Sequence, residues 1–144
     1  MDIISVKDPQ KYNISRELGL ALNNSALLMK QCRFNDVLAI CDEGLKIDPA
    51  NALILTQKGT AHFRLSKFED AIRCFDSAIK SSPKFADAYY NKATVKALQG
   101  DISEALSLLE KSIKLDSRFR KTAKNDEDFL LLRDNPMFII LVGN

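Results

Sequence analysis

A strict internal period of 34 residues constrains this chain more than any other feature. Stepping by 34 connects Pro49 to Pro83, Phe34 to Phe68 and Ile102, and Val37 to Ala71 and Ala105. The same step connects Ser25, Gly59 and Ala93, then Gly44, Ala78 and Ser112, and also Leu38, Ile72 and Leu106. No insertion separates the copies, so the frame is 18–51, 52–85 and 86–119, with 1–17 as an N-terminal segment and 120–144 as a C-terminal one. A fixed period of this length marks an array of small units, each burying its apolar face only against a neighbour.

Each unit reads as two helices. In the second half of the middle repeat, Phe68, Ala71, Ile72, Phe75, Ala78 and Ile79 form one stripe at i, i+3, i+4, i+7 spacing. The links Arg33-Phe34-Asn35, Ser66-Lys67 and Gly100-Asp101 are short, which forces the paired helices to run antiparallel. Pro49 and Pro83 are placed to end the second helices, since proline lacks an N–H and clashes with the preceding turn. Gly59, Ala71, Ala78, Ala93 and Ala105 let backbones approach, and Phe34, Phe68, Phe75 and Leu109 fill the spaces between them.

These residues make the chain resemble the tetratricopeptide repeat family. The third repeat, AYYNKATVKALQGDISEALSLLEKSIKLDSRF, follows the family pattern almost throughout, and the second keeps Gly59, Ala71, Phe75, Ala78 and Pro83. The first departs more, with Ala21, Val37 and Gly44 at positions usually held by other residues. The resemblance implies an all-α fold, a right-handed α-solenoid of stacked antiparallel helix pairs. It also implies a concave groove lined by the first helices. Carried over by phase, that groove holds Asn23 and Lys30 from repeat one, Gln57, Thr60, Phe63 and Arg64 from repeat two, and Tyr90, Asn91 and Thr94 from repeat three. Asn23, Gln57 and Asn91 share one register as a ladder of carboxamides able to hold a peptide backbone. Met29, Phe63 and Tyr90 add apolar contact, and Lys30 and Arg64 favour an acidic group. One subtype of the family grips chaperone C-termini with basic and amide side chains. Here Leu22 and Ala26 stand where its first lysine and asparagine belong, and Asp87 and Asn91 replace basic residues, which argues against that ligand.

The last segment, RKTAKNDEDFLLLRDNPMFIILVGN, is not a fourth repeat. Asp126, Glu127 and Asp128 suit the start of a short helix, Phe129 and Leu132 share a face, and Asp134 or Asn135 precedes Pro136 at a last helix that buries Phe138 and Leu141. It reads as capping helices over repeat three, with a dimer contact through Phe138–Leu141 as the alternative. In residues 1–17, Asp8-Pro9 breaks the chain and Asn13 or Ser15 is placed to cap a helix entering repeat one. Ile3, Ile4 and Val6 either pack on that repeat or stay free.

Nothing points to catalysis or a cofactor. His62 is alone, read as a packed side chain between first and second helices, and phosphate-loop, zinc-protease and nucleophile-elbow motifs are missing. Cys32, Cys41 and Cys74 form no paired motif, so neither a zinc site nor a disulfide framework is expected. Asp36, Asp70 and Glu104 recur near the start of second helices, where the dipole favours acids. The net charge of +2 advertises neither nucleic acid nor membrane. It is uneven, however: repeat two carries six basic and three acidic side chains. The cluster Arg118, Arg120, Lys121 and Lys124 is followed at once by acids. The expected protein is a cytoplasmic, non-catalytic adaptor for a protein or peptide partner. The alternatives are a scaffold that self-assembles through its ends, as a homo-oligomer, and an accessory nucleic-acid binder.

Overall fold

The computed structural model describes the backbone of residues 9–143 and the side chains of 16–143. The chain is an α-solenoid of helices in repeated pairs, α1 (Pro9–Lys30) with α2 (Phe34–Ile47), α3 (Ala52–Arg64) with α4 (Phe68–Ser81), and α5 (Ala86–Leu98) with α6 (Ile102–Leu115). Two short helices, α7 (Phe119–Asn125) and α8 (Pro136–Val142), flank a 3₁₀ segment over Glu127–Leu132. The first helix begins earlier than the repeat frame. Pro9 opens it, as suits a residue whose missing N–H is no loss in a first turn, and Asn13 and Ser15 lie inside it instead of capping it. Ile3, Ile4 and Val6 lie outside the described residues.

The turns inside each pair repeat in atomic detail. Residue 32, 66 or 100 adopts a left-handed conformation, with φ of 57° at Cys32, 60° at Ser66 and 81° at Gly100. In each, two amides turn back onto the helix: Ser66 N bonds Phe63 O and Lys67 N bonds His62 O, matched by Cys32 to Met29 and Arg33 to Leu28, and by Gly100 to Ala97 and Asp101 to Lys96. This pattern satisfies carbonyls that a helix end otherwise leaves open, and glycine fits its left-handed position best. Only the third turn has glycine there. Ser66→Gly is therefore expected to stabilise the fold by about 1 kcal/mol, after the entropic cost of glycine is subtracted from the left-handed penalty. Urea denaturation checks this; a loss of stability counts against it.

Second helices end at Ile47 and Ser81, two residues before Pro49 and Pro83. The α6 helix ends at Leu115, the same phase, although Ser117 replaces the proline. Proline thus reinforces a stop that the stacked architecture already imposes. Successive pairs are also tied by a repeating ion pair, Lys58 to Asp42 and Lys92 to Asp76, each at 2.7 Å. Glu104, placed by its dipole preference, also meets Lys96 at 3.2 Å.

The core is a strip cut into three clusters. Val37, Cys41, Ile54 and Ala61 join the first pair to the second. Ala71, Phe75 and Val95, with Phe63, Phe68 and Ile72, join the second to the third. The last cluster joins α5 and α6 (Tyr90, Ala93, Ala97, Leu109, Ile113) to the C-terminal segment through Phe129, Leu132, Phe138 and Val142. Asn135 caps α8, its side chain accepting from Met137 N and Phe138 N, while Leu141 is half-buried. Leu130, Leu131, Met137, Ile139 and Ile140 of the same segment are exposed.

Candidate binding groove

Helices α1, α3 and α5 form the walls of a groove of about 640 Å³. Ser25, Ala26, Met29 and Lys30 come from α1, Cys32 from the turn after it, Phe34 from the start of α2, Leu53, Thr56, Gln57, Thr60 and Arg64 from α3, and Asp87 and Asn91 from α5. Of the residues expected at a binding surface, the fold brings Lys30, Gln57, Thr60, Arg64 and Asn91 together here. Asn23 is exposed on α1 and lies off the lining. Phe63, Tyr90 and Thr94 instead line a narrow adjoining cavity of about 90 Å³, shared with Thr60, Arg64, Asn91, Asp126 and Asp128.

The position of Tyr90 differs from that of an open groove residue. Its side chain is 5% exposed, stacked on Phe119 at 4.7 Å and meeting Phe129 edge-on at 5.5 Å. Its hydroxyl donates to Asp126 Oδ2 at 2.6 Å. Burial, reinforced by that carboxylate, pushes the phenol well above its ordinary pKa, so it stays protonated and donates to Asp126. Thr94 is likewise buried and donates to Asn91 O at 2.7 Å. The C-terminal segment is the cause: it folds back over the end of α5 that phase alone leaves open.

The carboxamides are held from within. Gln57 is hydrogen-bonded to the buried Ser25 hydroxyl, and Asn91 Nδ2 donates to Thr60 Oγ1 at 3.5 Å. Thr60 in turn donates to Thr56 O at 2.9 Å. Each amide carries two donors and a two-lone-pair acceptor, so one bond orients it and leaves capacity for a ligand. Arg64 is exposed, its guanidinium 5.6 Å from the Phe63 ring, a geometry that steadies a cation. Leu53 is a lining residue that the sequence reading missed, and Asp87, read there only as a departure from the chaperone grip, also lines the groove. They lie one turn before Gln57 and Asn91 in the same phase, a signal available from spacing.

His62 lies in the last turn of α3, in the phase of Leu28 and Lys96. Its Nδ1 is buried without a hydrogen-bond partner, and burial lowers its pKa from 6.5 against a mixed field of Asp70, Lys58, Lys67 and Asp42. A lowered folded value means the unfolded chain takes the proton first, so His62 costs stability as pH falls below about 6.5 and costs nothing above it. His62→Leu, matching Leu28 one repeat earlier, is expected to flatten the fall in denaturation midpoint between pH 7.5 and 5.5. Identical pH profiles for the two proteins are the contrary result. Among the described residues no three His, Cys, Asp or Glu side chains are grouped to hold a metal, and no helix is long and apolar enough to cross a membrane.

Stacked 34-residue helix pairs with a groove along the first helices define an α-solenoid of the helical-repeat interaction class. A family model described as tetratricopeptide repeat matches residues 56–118, within the stacked helix pairs. A curated relative, RNA polymerase II-associated protein 3 of Mus musculus, is 26% identical over 74 residues, covering 46% of this chain and 11% of that protein. The chain thus matches about a tenth of the relative's length. Among solved structures, the first TPR of Spaghetti (RPAP3) bound to the HSP90 peptide SRMEEVD has a TM-score of 0.69 at 19% identity, over 90% of this chain and 96% of that one. The TPR2B domain of yeast Sti1, in a pHsp70 complex, has a TM-score of 0.70 at 19% identity, over 88% and 96%. At this identity the likeness is one of fold.

Proposed function

We propose that this chain is a non-catalytic, cytoplasmic adaptor that holds an extended peptide or protein segment in the groove between α1, α3 and α5, with neither nucleic acid nor membrane as its partner. The observation that carries the reading is the groove itself. Two pre-oriented carboxamides, Gln57 and Asn91, lie among the apolar Met29, Phe34 and Leu53, with Lys30, Arg64 and Asp87 also on the lining. Carboxamides bond a peptide's N–H and C=O without reading its side chains, while flanking charges and apolar surface select among sequences. The peptide complexes of Spaghetti and Sti1 support the general mode. They do not carry the same ligand to this chain, because Leu22, Ala26 and Asp87 occupy positions where that grip needs amide and basic side chains.

Two lost hydrogen bonds at about 0.5–1.5 kcal/mol each weaken binding roughly tenfold. The double variant Gln57→Ala/Asn91→Ala is therefore expected to bind groove-selected peptides about tenfold more weakly by fluorescence anisotropy, with unchanged helical circular dichroism. Equal affinity in a folded double variant overturns the groove assignment.

A further inference from the structure

Helix α8 carries no polar side chain on any face. It reads Pro-Met-Phe-Ile-Ile-Leu-Val. At about 100° per residue, Phe138 and Val142 turn into the last core cluster, while Met137, Ile139 and Ile140 occupy the opposite arc. A helix that is apolar all round belongs in an interior, yet these three side chains are exposed, Ile140 to 71%. The 3₁₀ segment adds Leu130 and Leu131, the latter 69% exposed. Its inner Phe129 meets Phe138 at 5.9 Å, so the outer surfaces of the two elements adjoin.

Elsewhere among the described residues, large exposed apolar side chains are spread out, with Leu20 and Leu27 on α1, Leu53 on α3 and Leu98 on α5. The other five crowd between residues 130 and 140. Together they open roughly 400 Å² of apolar surface, the size at which a patch on a folded chain marks an interaction site. Beside the patch, the turn before α8 exposes Arg133 and Asp134. They are consecutive and opposite in charge, and among the described residues neither has an ion-pair partner within 4.0 Å.

We propose that this face is covered by the same face of a second copy, so that the chain is a twofold-symmetric homodimer joined through α8 and the 3₁₀ segment. An apolar helix face without a charge is complementary to itself, and a twofold axis brings the same patch to both sides. The rim fits the same symmetry: Arg133 of each copy meets Asp134 of the other, giving two reciprocal ion pairs. Doubled by symmetry and joined by its rim, the patch buries on the order of 1,000 Å², the threshold for a specific interface. A head-to-tail contact with α1 would use only Leu20 and Leu27, leave the reciprocal charges unmatched and run on into open chains. None of the patch residues lines the groove or its adjoining cavity. The dimer therefore leaves both grooves open, and goes beyond the single-site reading to a bivalent adaptor.

Sedimentation velocity and light scattering on the whole chain over a range of concentrations supply the test. Wild type is expected to pass from monomer to dimer at micromolar concentration and to stop there. Leu131→Lys/Ile140→Lys alters only exposed side chains, so its helical circular dichroism is expected to match wild type while dimerisation weakens about a hundredfold. Arg133→Asp and Asp134→Arg are each expected to weaken the dimer about tenfold, and the swap Arg133→Asp/Asp134→Arg to restore it, because the reciprocal pairs are remade with their charges exchanged. A wild type that stays monomeric at every concentration overturns the proposal; if that monomer floats with phosphatidylcholine vesicles, the face belongs to lipid instead. Species larger than a dimer, a dimer indifferent to Leu131→Lys/Ile140→Lys, or a charge swap that recovers nothing also overturn it. None of these results touches the groove assignment, which stands or falls on Gln57 and Asn91.

Discussion

Phe75→Ala is expected to cost about 3–5 kcal/mol, the range for emptying an aromatic site that cannot collapse. The side chain has no exposed surface and packs with Ala71 and Val95 between the second and third pairs. It also lies against Gly59, where an added Cβ would stand 2.5 Å from Phe75 Cε1 and 2.8 Å from Cδ1. Gly59→Ala therefore pits a helix-propensity gain of about 1 kcal/mol against displacement of a buried ring at about 1–3 kcal/mol, and net destabilisation is expected. Gly44 is the internal control. Its nearest atom is Ile54 Cδ1 at 2.8 Å, the free end of a flexible side chain, so Gly44→Ala is expected to be close to neutral. Because Gly59 and Phe75 touch, Gly59→Ala/Phe75→Leu should cost less than the sum of the single changes. Chemical denaturation of the four proteins of that cycle measures the coupling. Strict additivity would mean the ring and the glycine do not share one space.

The close approach at Gly59 was legible because the sequence repeats a small residue at 25, 59 and 93 with a large one at 68 and 75 within the same period. The helix pairs and the α-solenoid follow from that phase for the same physical reason: each pair must repeat the geometry that buries its neighbour. Phase was less informative where a contact occurs once. The left-handed turns at Cys32 and Ser66 carry no glycine to announce them, and only comparison with Gly100 makes them visible. Tyr90 has the phase of a groove residue but is covered, because its partner Asp126 is 36 positions away in a segment outside the repeat. Asn23 keeps its place in the amide register, yet among the described residues α1 is the outermost of the groove helices and packs on α2 and, more lightly, on α3. Position within the array, not register alone, decides which periodic residues line the cavity.

That end effect sets the second large expectation. Phe129 has no exposed surface and meets Tyr90 edge-on at 5.5 Å and Phe138 at 5.9 Å. Phe129→Ala is expected to remove about 3–5 kcal/mol, but not from the chain evenly. In an array, stability is a sum of units and nearest-neighbour interfaces, and among the described residues this cluster is built from the third pair and the C-terminal segment. The variant should therefore open locally. Hydrogen exchange should accelerate over residues 119–143 and along α5 and α6, while α1–α4 keep their protection. Uncovering Tyr90, Ala97 and Leu109 should also raise binding of a hydrophobic dye. Uniform loss of protection from α1 to α8 would show instead that the C-terminal segment and the repeats unfold as one cooperative unit. Local opening has a consequence at the groove, since Asp126 and Asp128 reach it only while Phe129 anchors their turn against Tyr90. The residue that covers the last apolar face is thus also the one that holds Asp126 and Asp128 at the cavity beside the groove.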